Sequence, residues 1–462
     1  MLSLTIISLG ILCFFTNIRT VYSSDYFWHI KVGQWILEHH KIPTTDIFSW
    51  YGKKMNLEFI SHEWLSDITM FLLGKNGLLI LLPIISMTLF FFIYKYLNIK
   101  KEKVIWNNII KVIYALLAIL TINGMEMRPG IFSLILFNCF LYILWNKKNL
   151  YWIPLIQLLW VNIHGGSSSL IPLLLIIEIG IDIIENKTWK NQITQQKIKI
   201  LVFSILISLI NPYTYKILLY PYKNMKDTTM INFITEWHSP SFHNITGIFN
   251  ALILFLPPFL LLFTKKKKEM KDILLLSLFL FMSLRSTRFI LHYIFIGSYI
   301  IGKYTNLKIS FKTKRKITIN QKVIKITIII LTILLSIGII NQNKKELNKY
   351  PSYSNKLIKE LIKINPKRMY NDYNNGGYLT AKLYNKKPDI FINGICDIYS
   401  SNILPDYNNL YHIITPEKII KKYDFDAFII PRKTPLEYYL KERQDYQIIY
   451  QDKTGILFKK KN

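Results

Sequence analysis

Cysteine is scarce in this chain, with three among 462 residues. Cys13, Cys139 and Cys396 stand far apart, so there is no disulfide framework and no C-x-x-C metal or redox motif. Acidic residues are few as well. Asp and Glu number 28 against 58 Lys and Arg, a formal net charge of +30. The N-terminus lacks a basic n-region and a small-residue cleavage site, so its apolar opening reads as a retained anchor rather than a signal peptide. The last stretch of the chain contains no G-x-G-x-x-G fingerprint and no Walker loop, which excludes the common nucleotide folds there.

What the chain does have is long apolar runs, such as "LLILLPIISMTLFFFIY" and "ITIIILTILLSIGII". A helix needs roughly 20 apolar residues to cross a bilayer core. Scanning for such runs predicts about eleven spans. They lie near 2–18, 76–95, 105–122, 130–146, 150–163, 168–184, 199–211, 246–264, 272–284, 288–303 and 324–340. The lysines concentrate in the short loops between them: "KYLNIKKEK", "NKK", "KTWKNQITQQKIK", "KKKKEMK" and "KYTNLKISFKTKRK". With these spans every such loop falls on one side, which the positive-inside bias makes cytoplasmic. The charge is therefore assigned to topology and anionic lipid, and no nucleic-acid partner is expected.

This pattern predicts an α-helical polytopic protein of the cytoplasmic membrane. The N-terminus is inside and the C-terminal region outside. Residues 1–340 form the transmembrane domain, with external loops 19–64 and 212–245. Residues 341–462 form an extracytoplasmic small α/β domain, because short β-rich runs alternate there with amphipathic helices. In that domain "NNGGYL" reads as a glycine turn entering a helix, serving either a cap or a ligand contact.

The unusual polar residues all fall on the outer face. Asp25 opens an amphipathic segment, "SSDYFWHIKVGQWILEHH", in which Ser23, Ser24 and Asp25 are each good helix caps. Phe27, Ile30, Trp35 and Ile36 can lie on a membrane surface, with Trp28 and Trp35 as interfacial anchors. His29, His62, Glu63, His164, Glu236 and His238 are candidates for binding an acceptor or a metal. His62 and Glu63 are adjacent and do not share a helix face, so any metal site must borrow ligands from other loops. A divalent ion, Mg²⁺ or Mn²⁺, is the cofactor such a site would admit. Arg128, Arg285 and Arg288 stand at the outer ends of spans, against the inside bias. Their planar forks fit a lipid phosphate, and snorkelling to headgroups is the structural alternative. Arg285 and Arg288 are three apart, so one helix would put both on one face.

An outer-face acid with arginines and a lipid phosphate suits sugar transfer from a polyprenyl-phosphate donor. The leaving phosphate is a stable anion, so the chemistry needs a base for the acceptor and cations for the phosphate. The motifs "DYFWHIKVGQWILEHHKIPTTDIFSW", "SHEWL", "RPGIFSL", "NIHGG", "NPY", "EWHSP", "NDYNNGGYL" and "FINGICDIYS" run in order over most of the chain. In that order they resemble a bacterial family of GT-C-like envelope proteins. The resemblance implies a helical membrane domain with an external pocket under the soluble domain, and it maps the acid of the first external loop to Asp25. Asp25 is followed by Tyr26 rather than by a second acid, and no W-W-D-Y-G signature occurs, which favours transfer of a single sugar over a whole oligosaccharide.

The expected function is thus a membrane glycosyltransferase acting on an envelope acceptor, whether protein, lipid or glycan. The alternatives are a transporter or flippase of a lipid-linked glycan, and a non-catalytic GT-C-like scaffold of an envelope-assembly complex. Convergence of Asp25, Glu63 and the outer arginines on one place separates the enzyme from the scaffold.

Overall fold

The structure is a computed structural model that describes residues 23–99, 105–122, 126–305, 353–401 and 403–461, with residues 10, 330 and 334 as isolated positions. Apart from those isolated positions, the expected spans 2–18 and 324–340 lie outside the described residues. The chain is mostly helical, with one small sheet near its C-terminus.

Three described helices are long and apolar enough to cross a membrane: Trp64–Leu97, Gly165–Asn186 and Ile245–Phe263. The other expected segments are helical but shorter: Ile105–Ile122, Gly130–Asn146, Ile153–Ile163, Gln192–Ile207, Met270–Arg285 and Ile290–Tyr304. Large apolar side chains stand exposed on these helices, among them Leu72, Phe203, Phe259, Leu262 and Phe281. An apolar patch of that extent is unfavourable against water and suits hydrocarbon. The helix expected at 76–95 begins instead at Trp64. It is broken at Gly74, whose φ of 57° is open to glycine and strained for other residues. The short piece before the break carries polar residues, and the piece after it is the greasy one.

The helices sort their ends. At the far ends of three helices Trp145 stacks on Tyr299, with ring centroids 4.0 Å apart, and meets Tyr96 edge-on at 4.9 Å. Lys95, Lys147 and Lys303 lie at this end, next to those rings in sequence. Lys266 joins them by donating to the Lys303 carbonyl at 2.6 Å. The opposite ends of the same helices carry Asp67, Arg128 and Arg288.

The C-terminal unit holds a four-stranded sheet in the order β1-β2-β4-β3. Its strands are β1 Met369–Asn371, β2 Ala427–Ile430, β3 Tyr446–Gln451 and β4 Ile456–Lys460. β1 runs parallel to β2, and the other pairings are antiparallel. β1 and β2 are buried along their whole length. Such strands need cover on both faces, and the helices Asn355–Ile364, Tyr373–Leu383, Leu404–Tyr411, Pro416–Tyr423 and Pro435–Glu442 accompany them.

The described part of the segment expected as the first external loop, residues 23–64, contributes to this unit's core. Trp28, Val32, Ile36, Phe48 and Phe59 are buried in one cluster with Tyr370, Phe391 and Phe428. Trp50 donates its backbone N–H to the Ile390 carbonyl at 2.9 Å and its indole N–H to the Met369 carbonyl at 3.0 Å. The helix Ser24–His39 therefore does not float on a membrane surface, as its amphipathic pattern suggested. Trp28 and Ile36 are buried, because the helix is packed between Trp64–Leu97 on one side and Tyr373–Leu383 on the other. Its apolar face reads the same whether lipid or protein covers it.

Candidate functional site

Asp25 lies in the first turn of the helix Ser24–His39 but is not its cap. Ser23 does that work, accepting from the Tyr26 N–H at 3.1 Å. The Asp25 carboxylate is left to side chains. It accepts from the Trp28 indole N–H at 3.2 Å and lies 3.7 Å from the Arg128 guanidinium. Arg128 also pairs with Glu236. All three remain partly open, with side-chain exposures of 27% for Asp25 and 30% for the other two, so a ligand can reach them. Burial would lower the Arg128 pKa, but Glu236 and Asp25 outweigh it and raise it further. Burial likewise works to raise the Glu236 carboxyl, and Arg128 and Arg288 hold it below the usual carboxylate range.

Deeper in, a second cluster surrounds Glu63. Three imidazole Nε2 atoms face its carboxylate: His164 at 3.2 Å, His29 at 3.9 Å and His62 at 4.0 Å. Three separate elements supply them. His29 comes from the first helix. His62 and Glu63 sit in the turn before Trp64. His164 ends the helix Ile153–Ile163, with φ −157° and ψ 74°. The Gly165 N–H donates to the His62 carbonyl at 2.9 Å, which ties the "SHEWL" turn to the "NIHGG" turn. His29 stacks on Trp28 with centroids 3.6 Å apart, so one tryptophan touches both Asp25 and the deeper cluster.

The protonation pattern follows from desolvation. Burial pushes the His62 imidazole down to about 3, helped by the nearby Arg288, and pushes His164 well below its ordinary value. Burial raises the Glu63 carboxyl to about 7, against the pull of His29. His29 differs from its two companions. Burial works to lower it, but Asp67, whose carboxylate lies 2.6 Å from Nδ1, outweighs this and holds it above the ordinary value. His62 and His164 are thus held toward neutral rings with lone pairs, whereas Asp67 favours the protonated form of His29.

The C-terminal unit roofs the site. The stretch Gly394–Asp397 lies over Asp25 and Tyr220. Tyr220 donates to Asp397 at 3.1 Å, and its ring lies 4.4 Å from that of His62. Burial lifts the Asp397 carboxyl to about 6. "NNGGYL" opens the helix Tyr373–Leu383, whose cap is Asp372, accepting from the Asn375 N–H. Its glycines make a close packing contact rather than a turn. A Cβ at Gly377 would stand 1.9 Å from the Ser24 carbonyl oxygen.

Of the residues expected in the site, Asp25, His29, His62, Glu63, Arg128, His164 and Glu236 converge. Arg288 joins them electrostatically, acting on Glu63, His62, His164 and Glu236. Its guanidinium also stacks over Trp237 at 5.1 Å. Arg285 does not join. The expected single helix through both arginines ends at Arg285, and Ser286 is extended (φ −148°, ψ 126°) before a short 3₁₀ turn carries Arg288. The Ser286 hydroxyl donates to the Glu236 carbonyl at 2.7 Å, which holds the break open. His238 also stays outside, with its Nε2 against the Asn232 carbonyl at 3.0 Å. Asp67, Tyr220, Trp237 and Asp397 were missed. Asp67 stands four residues after Glu63, a spacing that could have flagged it. Tyr220 carries no such signal.

An apolar groove of about 540 Å³ opens beside this site, lined by Trp64, Leu158, Leu159, Leu209, Ile210 and Pro212 together with Leu65, Asn162 and Asn211. The Trp64 indole donates to Asn162 at 3.0 Å at its polar end. Trp64 follows Glu63 directly and Asn162 precedes His164 by two residues, but none of the clustered residues lines the groove itself. No family model matches the sequence, and no curated protein matches it either.

Proposed function

We propose that this chain is a GT-C-like glycosyltransferase on the outer face of the cytoplasmic membrane. It transfers a sugar from a polyprenyl-phosphate donor to an envelope acceptor. The proposal includes about eleven spans, an inside N-terminus and an outside C-terminal domain. The observation that carries it is the sharing of Arg128 between Asp25 and Glu236 at an opening reached by a second arginine, Arg288. One guanidinium held by two carboxylates is an anion site in its resting form. The apolar groove lined by Trp64, Leu158 and Leu209 is of a kind that suits a hydrocarbon chain.

The chemistry runs as follows. The donor phosphate takes the guanidinium forks of Arg128 and Arg288, which bind phosphate better than a point charge does. Asp25 is thereby released from Arg128. Its carboxylate takes the proton of the acceptor hydroxyl as the acceptor oxygen bonds to the anomeric carbon. The bond from that carbon to the phosphate oxygen breaks, and the electron pair leaves with the phosphate, stabilised by the two cations. Trp28 orients Asp25 through its indole N–H. A scaffold without catalysis would have no use for so many buried ionisable groups in one place, since each is costly to desolvate.

The test is transfer of labelled sugar from polyprenyl-phosphate donors by the purified protein and by Asp25→Asn. Ser23 supplies the cap, so the variant should fold normally. Loss of a general base lowers the rate roughly 10²–10⁴-fold. Wild-type transfer by Asp25→Asn at equal thermal stability would remove Asp25 from catalysis and the reading with it.

A further inference from the structure

The cluster around Glu63 has more order than a sugar-transfer site requires. Ligand atoms of His62, Glu63 and His164 all lie within 4.8 Å of one another. Ligands about 2.0–2.1 Å from a tetrahedral zinc ion stand roughly 3.3 Å from one another. His164 Nε2 lies 3.2 Å from Glu63 Oε1 and His62 Nε2 lies 4.0 Å from Glu63 Oε2, so the two rings have to move inward on the carboxylate to close on an ion. The Nδ1 atoms of His62 and His164 are buried and have no hydrogen-bond partner. The Nε2 atoms face Glu63, so each ring presents one nitrogen to an ion placed there, and a flip about Cβ–Cγ would present the other.

We propose that His62, Glu63 and His164 form a transition-metal site, with zinc as the preferred ion. Two imidazoles and one carboxylate are borderline donors that suit zinc, whereas Mg²⁺ and Mn²⁺ favour oxygen ligands. The expectation of Mg²⁺ or Mn²⁺ from the sequence is therefore replaced on ligand chemistry. Three protein ligands leave a fourth position, the arrangement of a catalytic rather than a structural zinc. His29 is a positioning residue rather than a ligand. Its Nδ1 is tied to Asp67 at 2.6 Å, and its Nε2 faces the Glu63 oxygen at 3.9 Å. The walls are fixed by the Tyr220 ring over His62 and by the Gly165 bond to the His62 carbonyl. The inference stands apart from the transferase reading, since metal binding is measured without any donor or acceptor.

The full-length protein is purified in detergent, stripped with chelator and dialysed against Zn²⁺, Co²⁺, Mg²⁺ or Mn²⁺. The expected result is one zinc per chain, one cobalt with a tetrahedral visible spectrum, and no retained Mg²⁺ or Mn²⁺. His164→Gln and His62→Asn should each weaken zinc binding by about 100-fold or more, since even outer-shell losses cost about 10–100-fold. His29→Gln should weaken it less and should leave the tetrahedral cobalt spectrum in place. If the folded wild-type protein retains no zinc or cobalt, the site is overturned whatever the variants do. Zinc retained equally by a monodisperse His62→Asn/His164→Gln double variant overturns it as well. Transferase failure with zinc bound would sink only the earlier reading, and a folded protein that transfers sugar but retains no zinc or cobalt on dialysis would sink only this one.

Discussion

A methyl group at Gly394 would stand 2.3 Å from the Asp25 carboxylate and 2.8 Å from the Trp28 indole nitrogen. The roof of the C-terminal unit is therefore pressed onto the two side chains that open the site. Gly394→Ala has to push both aside. The expected outcome is a modest loss of stability, about 1–3 kcal/mol for overpacking, with a larger loss of transfer. Thermal unfolding and transfer rate measured on the same sample check this. Unchanged transfer would mean that Asp25 can move without consequence.

Gly377→Ala should be worse for folding. Its added carbon meets a backbone oxygen, that of Ser24 at 1.9 Å, which cannot rotate away as a side chain can. The helix Tyr373–Leu383 must then lift from the helix Ser24–His39. Faster proteolysis between residues 341 and 372 is the expected readout, and a protease pattern like the wild type's would contradict the packing.

Arg285 and Arg288 should separate. Both are exposed and neither has an ion pair among the described residues, but Arg288 stacks over Trp237 and acts on Glu236 and Glu63, whereas Arg285 does neither. Arg288→Lys loses the planar stack and the fork, and donor KM should rise about tenfold, a difference of roughly 1.4 kcal/mol. Arg285→Lys should leave donor KM unchanged. Equal effects from both would return Arg285 to the phosphate site.

Asp397 should give the stability a pH dependence of defined sign. Burial lifts its carboxyl to about 6, with Tyr220 donating to it and Lys223, Cys396 and Glu63 around it. An acid raised on folding favours the native state most when protonated. Its contribution is full below the unfolded value near 4 and is lost as pH rises to about 6, by up to about 3 kcal/mol. With chelator present, wild type should lose more thermal stability than Asp397→Asn between pH 4 and pH 7. Parallel profiles would rule the carboxyl out.

Topology is tested by labelling. Lys418 is exposed on the C-terminal unit. A cysteine placed there should react with an impermeant reagent in intact cells. Reaction only after permeabilisation would put the whole site on the wrong side of the membrane for a lipid-phosphate donor.

Much of this was legible because polar residues in a greasy chain are expensive and therefore conspicuous. Asp25, Glu63, Arg128, His164 and Glu236 stand out in the sequence for that reason, and they meet in space. Their partners were hidden where the signal was not local. The break at Ser286 depends on its hydroxyl reaching the Glu236 carbonyl, which no periodicity reveals, so Arg285 looked equivalent to Arg288. The apolar face of the Asp25 helix carried the right pattern and the wrong neighbour. Amphipathicity records that a face is covered and not what covers it. The glycines of "NNGGYL" were ambiguous between turn and ligand, because a residue selected for having no side chain gives no hint of what presses against it.

The indole of Trp50 and the carbonyl it holds, on Met369, are 319 residues apart in the chain. The loop that carries Asp25, His29 and Glu63 emerges early from the ribosome, while the strands that bury its Trp28 and Phe48 are made last. A contact of that sequence separation is slow to find. Until synthesis ends, the nascent protein holds an open, unroofed set of carboxylates and imidazoles. Covering of the Asp25 loop therefore waits on the strands at the far end of the chain. A truncation removing only the last strand, Ile456–Lys460, would leave the loop that carries Asp25 without part of its cover.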